Sequence, residues 1–267
     1  MRFVNRSMFL LVSSTILVSG CFHHRSAPKP SLNPLTATPQ MVDSLWNAAL
    51  DYYARHKWDK AAAAFDRLEL EITASDKRFM LARMYLGELY VRSGSNLQGV
   101  REYRRLVDEY PTDSLAPEAL LKAADAYNAL WRGVDLDPTY GITAQSVYSE
   151  VVTRYPNTPA AAKAAVKLQE LDDRFAIKAY MAGKFYLKYK AYESAIMSLS
   201  SVVVDHPKAQ IVPSALADLI VAYRKLGYAE DIRDKCAYMK DHWAETPEYR
   251  KSCPATLPAA AEKPAGG

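Results

Sequence analysis

Glycine is scarce in this chain, 10 of 267 residues, and there are only three cysteines and five histidines. So little glycine disfavours turn-rich β architectures and favours packed helices. No paired CxxC, no HExxH and no glycine-rich phosphate loop can be found, so neither a metal nor a nucleotide cofactor has a recognisable ligand set, and no enzyme chemistry announces itself. Charge of one sign is lacking too. The formal net charge is +4, and 34 basic residues less Arg2 and Arg6 of the leader, against 30 acidic ones, leave +2. That balance gives no electrostatic footprint for nucleic acid. The one long apolar run, Met8 to Val18, is broken by Ser13, Ser14 and Thr15 and is shorter than the roughly 20 residues needed to span a bilayer.

Residues 1–20 read as an export signal, with Arg2 and Arg6 as the positive region ahead of that run. The run ends in Leu17-Val18-Ser19-Gly20-Cys21, which resembles a bacterial lipobox, where small residues precede a cysteine that is acylated and becomes the mature N-terminus. Several acyl chains, each contributing roughly 0.8 kcal/mol per buried CH₂, would anchor a soluble domain without spanning the membrane. The alternative is ordinary cleavage beside a coincidental cysteine. Phe22, where an Asp is absent, is similar to the pattern of Gram-negative lipoproteins delivered to the outer membrane. Residues 21–40 then carry Pro28, Pro30, Pro34 and Pro39, which no continuous helix or buried strand tolerates, so they are expected to form a tether. The stretch 251–267, with Pro254, Pro258 and Pro264, has too few large apolar groups to bury itself and is expected to be disordered.

Between these tails, residues 41–250 repeat. Leu106-Val107-Asp108-Glu109-Tyr110-Pro111 recurs 45 residues later as Val151-Val152-Thr153-Arg154-Tyr155-Pro156, and a third, altered copy is Val202-Val203-Val204-Asp205-His206-Pro207. A proline just past a helix end stops the helix. Ahead of each proline, small and aromatic residues recur at a spacing that resembles the tetratricopeptide repeat: Ala48, Tyr52, Ala61 and Phe65; Gly87, Tyr90, Gly94, Gly99 and Tyr103; Ala123, Tyr127, Ala144 and Tyr148; Gly183, Tyr186, Ala195 and Leu199; and, degraded, Ala222, Tyr223, Gly227 and Ile232, with Pro247 as a candidate stop. The expected fold is all-α, a solenoid of about five helix pairs in which each pair buries its faces against its neighbours. The third pair is displaced by an insertion of about eight residues, and Ala160 to Tyr189 reads as one long helix joining the third and fourth units.

The insertion Gly133-Val134-Asp135-Leu136-Asp137-Pro138-Thr139-Tyr140, followed by Leu171-Asp172-Asp173-Arg174-Phe175-Ala176 and Phe185-Tyr186-Leu187-Lys188-Tyr189-Lys190-Ala191-Tyr192-Glu193-Ser194-Ala195-Ile196, resembles the BamD family of outer-membrane protein assembly lipoproteins over roughly residues 40–245. The resemblance implies a lipid-anchored scaffold on the periplasmic face of the outer membrane. It would dock the Omp85-type barrel subunit of the assembly machine and accessory lipoproteins, and receive unfolded outer-membrane proteins, with no cofactor and no catalysis. Two departures stand out: Met197-Ser198 where the family often presents an Arg, and His206-Pro207 in place of Tyr-Pro.

On the repeat ruler, the first helix of each pair offers its inner positions to ligands. Trp46, Leu50, Tyr53, Met84, Glu88, Leu121 and Asp125 form a candidate client-peptide groove, apolar with carboxylates. Lys184, Lys188, Arg224 and Lys225 form a candidate basic face for an acidic partner domain. With Cys21 committed to lipid, Cys236 and Cys253 either pair in an oxidising periplasm or remain free thiols. Asp135 and Asp137 lack the glycine and terminal glutamate of an ion-binding loop, and a turn is expected there. Two other classes stay open: a generic tetratricopeptide lipoprotein organising cell-wall or envelope-stabilising proteins, and an enzyme such as a lytic transglycosylase, for which no extra domain is left over.

Overall fold

The computed structural model describes residues 38–253. The export signal, Cys21, almost all of the tether and the stretch after Cys253 lie outside the described residues. Within them the chain forms eleven helices and no strand: α1 (Pro39–Ala54), α2 (Trp58–Glu71), α3 (Lys77–Arg92), α4 (Asn96–Glu109), α5 (Ala116–Leu130), α6 (Thr139–Arg154), α7 (Pro159–Lys188), α8 (Tyr192–Asp205), α9 (Val212–Leu226), α10 (Ala229–Trp243) and α11 (Pro247–Ser252). Each helix packs on the next, and α7 also touches α5 and α9. The result is an all-α solenoid of five helix pairs closed by a short eleventh helix.

Local chemistry sets the boundaries. Proline occupies the first turn of α1, α5, α7, α9 and α11, where its missing N–H would have had no intrahelical partner. Side chains of Thr38, Asp76, Thr158 and Thr246 cap four helix starts, each substituting for an absent backbone acceptor. Tyr110, Tyr155 and His206 end α4, α6 and α8 with nearly the same backbone, φ between −125° and −132° and ψ between 54° and 59°. The histidine therefore keeps the geometry of the tyrosines it replaces, because the following proline imposes it. The turns inside four of the pairs share another feature, one residue at positive φ: His56, Gly94, Lys190 and Gly227. Glycine adopts this conformation without strain; a histidine and a lysine do not.

Buried side chains form three clusters along the solenoid: one under α1 to α3 around Phe65 and Leu86, a central one under α4 to α7 around Tyr103, Leu120 and Tyr148, and one under α7 to α10 around Leu199, Leu216 and Ile220. The long helix α7 crosses from the second to the third, contributing Leu171 to one and Ala176 to the next. Thirty residues at 1.5 Å each give it a length of about 45 Å.

The end of the solenoid departs from expectation. Pro247, read as a stop for the fifth unit, instead opens α11, which also takes in Lys251 and Ser252 of the stretch assigned to the tail. The Cys236 and Cys253 sulfurs are bonded. Arg224 donates to the Ser252 carbonyl, and Ser214 lies 3.3 Å from Glu248. A one-and-a-half-turn helix has too little apolar surface to hold itself in place, and here polar contacts and a covalent bond supply the rest.

Candidate functional site

The first helices of the pairs, α1, α3, α5, α7 and α9, carry the residues that the repeat ruler directs inward. Between α3 and α5 lies a cleft of about 290 Å³ lined by Glu88, Val91, Arg92, Tyr103, Lys122, Asp125 and Ala126. Glu88 is its hub. One carboxylate oxygen accepts from the Tyr53 hydroxyl at 2.6 Å and from Arg92 at 2.8 and 2.9 Å, and the other lies 3.8 Å from the Lys122 ammonium. Burial alone would raise the Glu88 carboxyl, but the Tyr53 and Arg92 hydrogen bonds and the two positive charges outweigh it and hold it below the usual carboxylate range. Arg92 also lies 5.0 Å from the centre of the Trp58 ring. Asp125 accepts from the Tyr148 hydroxyl at 2.5 Å, and burial followed by that bond pushes the Tyr148 hydroxyl upward.

The polar members of the candidate groove, Tyr53, Glu88 and Asp125, therefore come together along one line of helices. Of the apolar members only Leu121 is buried, while Trp46, Leu50 and Met84 are half-buried like Tyr53 and Glu88. Trp46 packs edge-on against Phe65 and Tyr85 with ring centres 5.8 and 6.2 Å away, and Leu50 belongs to the same cluster. Met84 packs against the central cluster, and Leu121 is only 3% exposed within it. Their sequence positions put them on the right helices; the depth of each side chain depends on packing against Phe65, Tyr85 and the next pair. Lys122 and Tyr148 complete the line; the repeat spacing marks Tyr148 as a packing position only and does not mark Lys122. Lys122 is one position off the ruler, and Tyr148 reaches in from a second helix.

The candidate basic face is partly neutralised. Lys184 pairs with Asp218 at 3.3 Å, and the same carboxylate accepts from the Tyr180 hydroxyl at 2.8 Å. Arg224 is engaged with α11, as described. Lys188 lies 5.9 Å from the centre of the Tyr189 ring, and Lys225 is exposed. On α8, Met197 is 75% exposed at the position where the resemblance leads one to expect an arginine.

A third feature is the connection between α5 and α6. Arg174, in the middle of α7, donates to the Asn128 side chain at 2.7 Å and to the Trp131 carbonyl, and its guanidinium lies 4.0 Å from the centre of the Trp131 ring. Phe175 stacks on the same ring at 4.8 Å. One turn on, Lys178 donates to the Val134 and Leu136 carbonyls at 3.1 and 2.8 Å. Gly141 at the start of α6 gives Trp131 its seat, since a Cβ there would fall 2.4 Å from the indole. On the opposite side of α7, Asp172 meets His206 at 2.6 Å and Asp173 accepts from the Gln210 backbone at 3.0 Å. Consecutive residues 172 to 174 thus bind α7 to the units on both sides. Around Asp135 and Asp137 the chain makes a turn, closed by the Leu136 N–H on the Gly133 carbonyl, and among the described residues no group of His, Cys, Asp or Glu is arranged to hold a metal ion.

The sequence profile of a family described as YfiO, outer membrane lipoprotein, matches residues 39–239. A relative from Caulobacter vibrioides, named outer membrane protein assembly factor BamD, is 27% identical over 81% of this chain and 69% of its own length. The protein of the same name from Rickettsia prowazekii is 23% identical, over 82% and 86%. Among solved structures, the TPR2AB-domain:pHSP90 complex of yeast Sti1 aligns with a TM-score of 0.43 at 13% identity, covering 79% of this chain and 81% of that one.

Proposed function

The chain belongs to the YfiO family of outer membrane lipoproteins, whose members named above are outer-membrane protein assembly factors, and from that premise we propose that it is the lipid-anchored periplasmic scaffold of a β-barrel assembly machine. Its role is in outer-membrane protein assembly and is not enzymatic. In this reading the acyl chains on Cys21 hold it to the periplasmic face of the outer membrane. The line of first helices from α1 to α5 receives unfolded barrel proteins, and the α7 to α9 end, around Lys184, Lys188 and Lys225, docks the Omp85-type barrel subunit. The observation that carries the reading is a single family match running through all but the last of the helix pairs and most of that one.

The α3/α5 cleft supports the client half of the proposal. Arg92 and Lys122 balance Glu88 and Asp125, so the cleft offers donors and acceptors together without a net charge. Such a surface suits the main chain of an extended segment better than a strongly charged one. Transmembrane β-strands alternate apolar and polar residues and expose both kinds of backbone group until they pair. The test is a fluorescence titration of the detergent-solubilised full chain with labelled ten-residue peptides of alternating apolar and polar residues. Saturable binding that is weakened about fivefold or more by Arg92→Ala combined with Lys122→Ala supports the reading; absence of binding, or equal binding by the variant, sinks the client half of it.

A further inference from the structure

The two edges of the solenoid differ in chemistry. Each helix packs on the next through a short connection, so the turns inside the pairs leave the molecule at one edge and those between the pairs at the other. The between-pair edge leans acidic, with Glu71, Asp113, Asp205 and Glu245 against Arg154 and Lys208, and among the described residues none of its turns exposes a large apolar side chain. The within-pair edge does. In the fourth unit Phe185, in the last turn of α7, is 56% exposed and Tyr189 65%, their rings 4.7 Å apart, and in the fifth Tyr228 is 45% exposed. Exposed lysines stand beside them, Lys188, Lys190 and Lys225. Lys190 holds the left-handed conformation that glycine takes in the second and fifth turns, so a charged side chain is kept at this tip at a conformational cost. Aromatic rings set among lysines on one rim have the composition of a surface that rests in a bilayer headgroup layer.

We propose that this rim of the fourth and fifth units lies against an anionic phospholipid surface, giving the chain a second membrane contact beside its acyl anchor. This second contact presupposes the acyl anchoring of the proposed function. Charge selects both the occupant and the edge, since anionic headgroups attract exposed lysines and repel the acidic edge opposite. The connection 131–138, where Asp135 and Asp137 are exposed with Arg132, interrupts the rim and confines the contact to the two C-terminal units. Reach permits it. α1 starts at the opposite edge and its 16 residues carry the chain about 24 Å toward this one, while the 17 residues from Phe22 to Thr38 can span up to about 60 Å. Height alone matters, because the anchor moves freely in the plane of the leaflet. No described helix is long and apolar enough to cross a membrane, so the contact is with the headgroup layer.

The experiment places the full chain in vesicles containing phosphatidylglycerol, with an environment-sensitive fluorophore on Tyr189→Cys and, as a control, on Thr112→Cys at the opposite edge, and reads quenching by a lipid with a nitroxide headgroup. The expected result is quenching at position 189 about fivefold or more above that at 112. It should fall by a similar factor when Lys188→Glu is combined with Lys190→Glu, and in vesicles of phosphatidylcholine alone. Neither lysine makes a side-chain hydrogen bond or ion pair among the described residues, so an unchanged melting temperature separates lost contact from lost folding. Equal quenching at the two positions, or quenching indifferent to the double variant and to lipid charge, would overturn the proposal. Flotation with the phosphatidylcholine vesicles reports the acyl anchor separately. A chain that floats with no quenching at 189 keeps the anchor and loses the rim; one that floats only with the anionic vesicles and is quenched at 189 loses the anchor and keeps the rim. The vesicles hold no barrel subunit, so the docking proposed for Lys188 and Lys225 plays no part in either result.

Discussion

Arg174 of α7 and Trp131, just past the end of α5, meet twice: the guanidinium lies over the indole, 4.0 Å from its centre, and donates to the same residue's carbonyl. The pairing fixes where the long helix crosses the third unit, and hence how the two ends of the solenoid are joined. Arg174→Ala should destabilise the fold by about 2 kcal/mol, the scale of a charge-assisted hydrogen bond together with a partly desolvated cation–π contact. Arg174→Lys should recover only part, since an ammonium cannot stack flat on the ring while bonding both Asn128 and the carbonyl. Urea unfolding of the three chains measures both.

Lys190 sits in the left-handed region at φ 61°, where the equivalent turns carry Gly94 and Gly227. A side chain there costs about 1–2 kcal/mol, and glycine's greater freedom in the unfolded chain gives back about 0.5–1 kcal/mol of that. Lys190→Gly should therefore stabilise by roughly 0.5–1 kcal/mol, while Gly227→Ala should destabilise by about 1 kcal/mol. His56, at φ 57°, is a poorer test because its ring packs 4.8 Å from Trp58.

The helix boundaries were legible because proline writes them. Tyr110-Pro111, Tyr155-Pro156 and His206-Pro207 end helices in one shared geometry, and the segment expected as one helix over 160–189 is observed as α7 over 159–188. Pro247 was misleading for the same reason, since the residue that stops one helix also suits the first turn of another. The candidate groove was legible in part. Periodicity assigns Trp46 and Leu121 to helices facing the site, but whether they reach solvent depends on Phe65, Tyr85 and the central cluster, which no spacing encodes. The Arg174 contacts lie 43 and 46 residues away in sequence and left no local pattern at all.

Glu102 and Asp66 flank Glu69 near the Arg83 guanidinium, and burial first, then the neighbouring carboxylate, raises both carboxyls. Folded pKa values above the unfolded ones mean that the native state binds more protons between the two, so this cluster loses stability as pH rises through that window and regains it as pH falls. Glu102→Gln should stabilise the chain at neutral pH by less than about 1 kcal/mol, a partly exposed group being discounted for screening. The gain should vanish as the pH of the melt is lowered through the ordinary carboxylate range.

Cys236 and Cys253, 17 residues apart in sequence, tie α11 to α10. Closing a loop of that size is worth about 3 kcal/mol in the unfolded-chain model. Cys253→Ser should lower the stability of the last units by up to that amount. Hydrogen exchange should show protection falling in α9 to α11 and holding in α3 to α6, because a repeat array loosens from its ends.

The central claim is that the chain is a scaffold of outer-membrane protein assembly. Its most direct test is mass spectrometry of what co-purifies with a tagged full-length copy extracted gently from outer membranes. The account predicts an Omp85-type barrel subunit in near-equal amount; cell-wall or envelope-stabilising proteins in its place, with no such barrel, would contradict it.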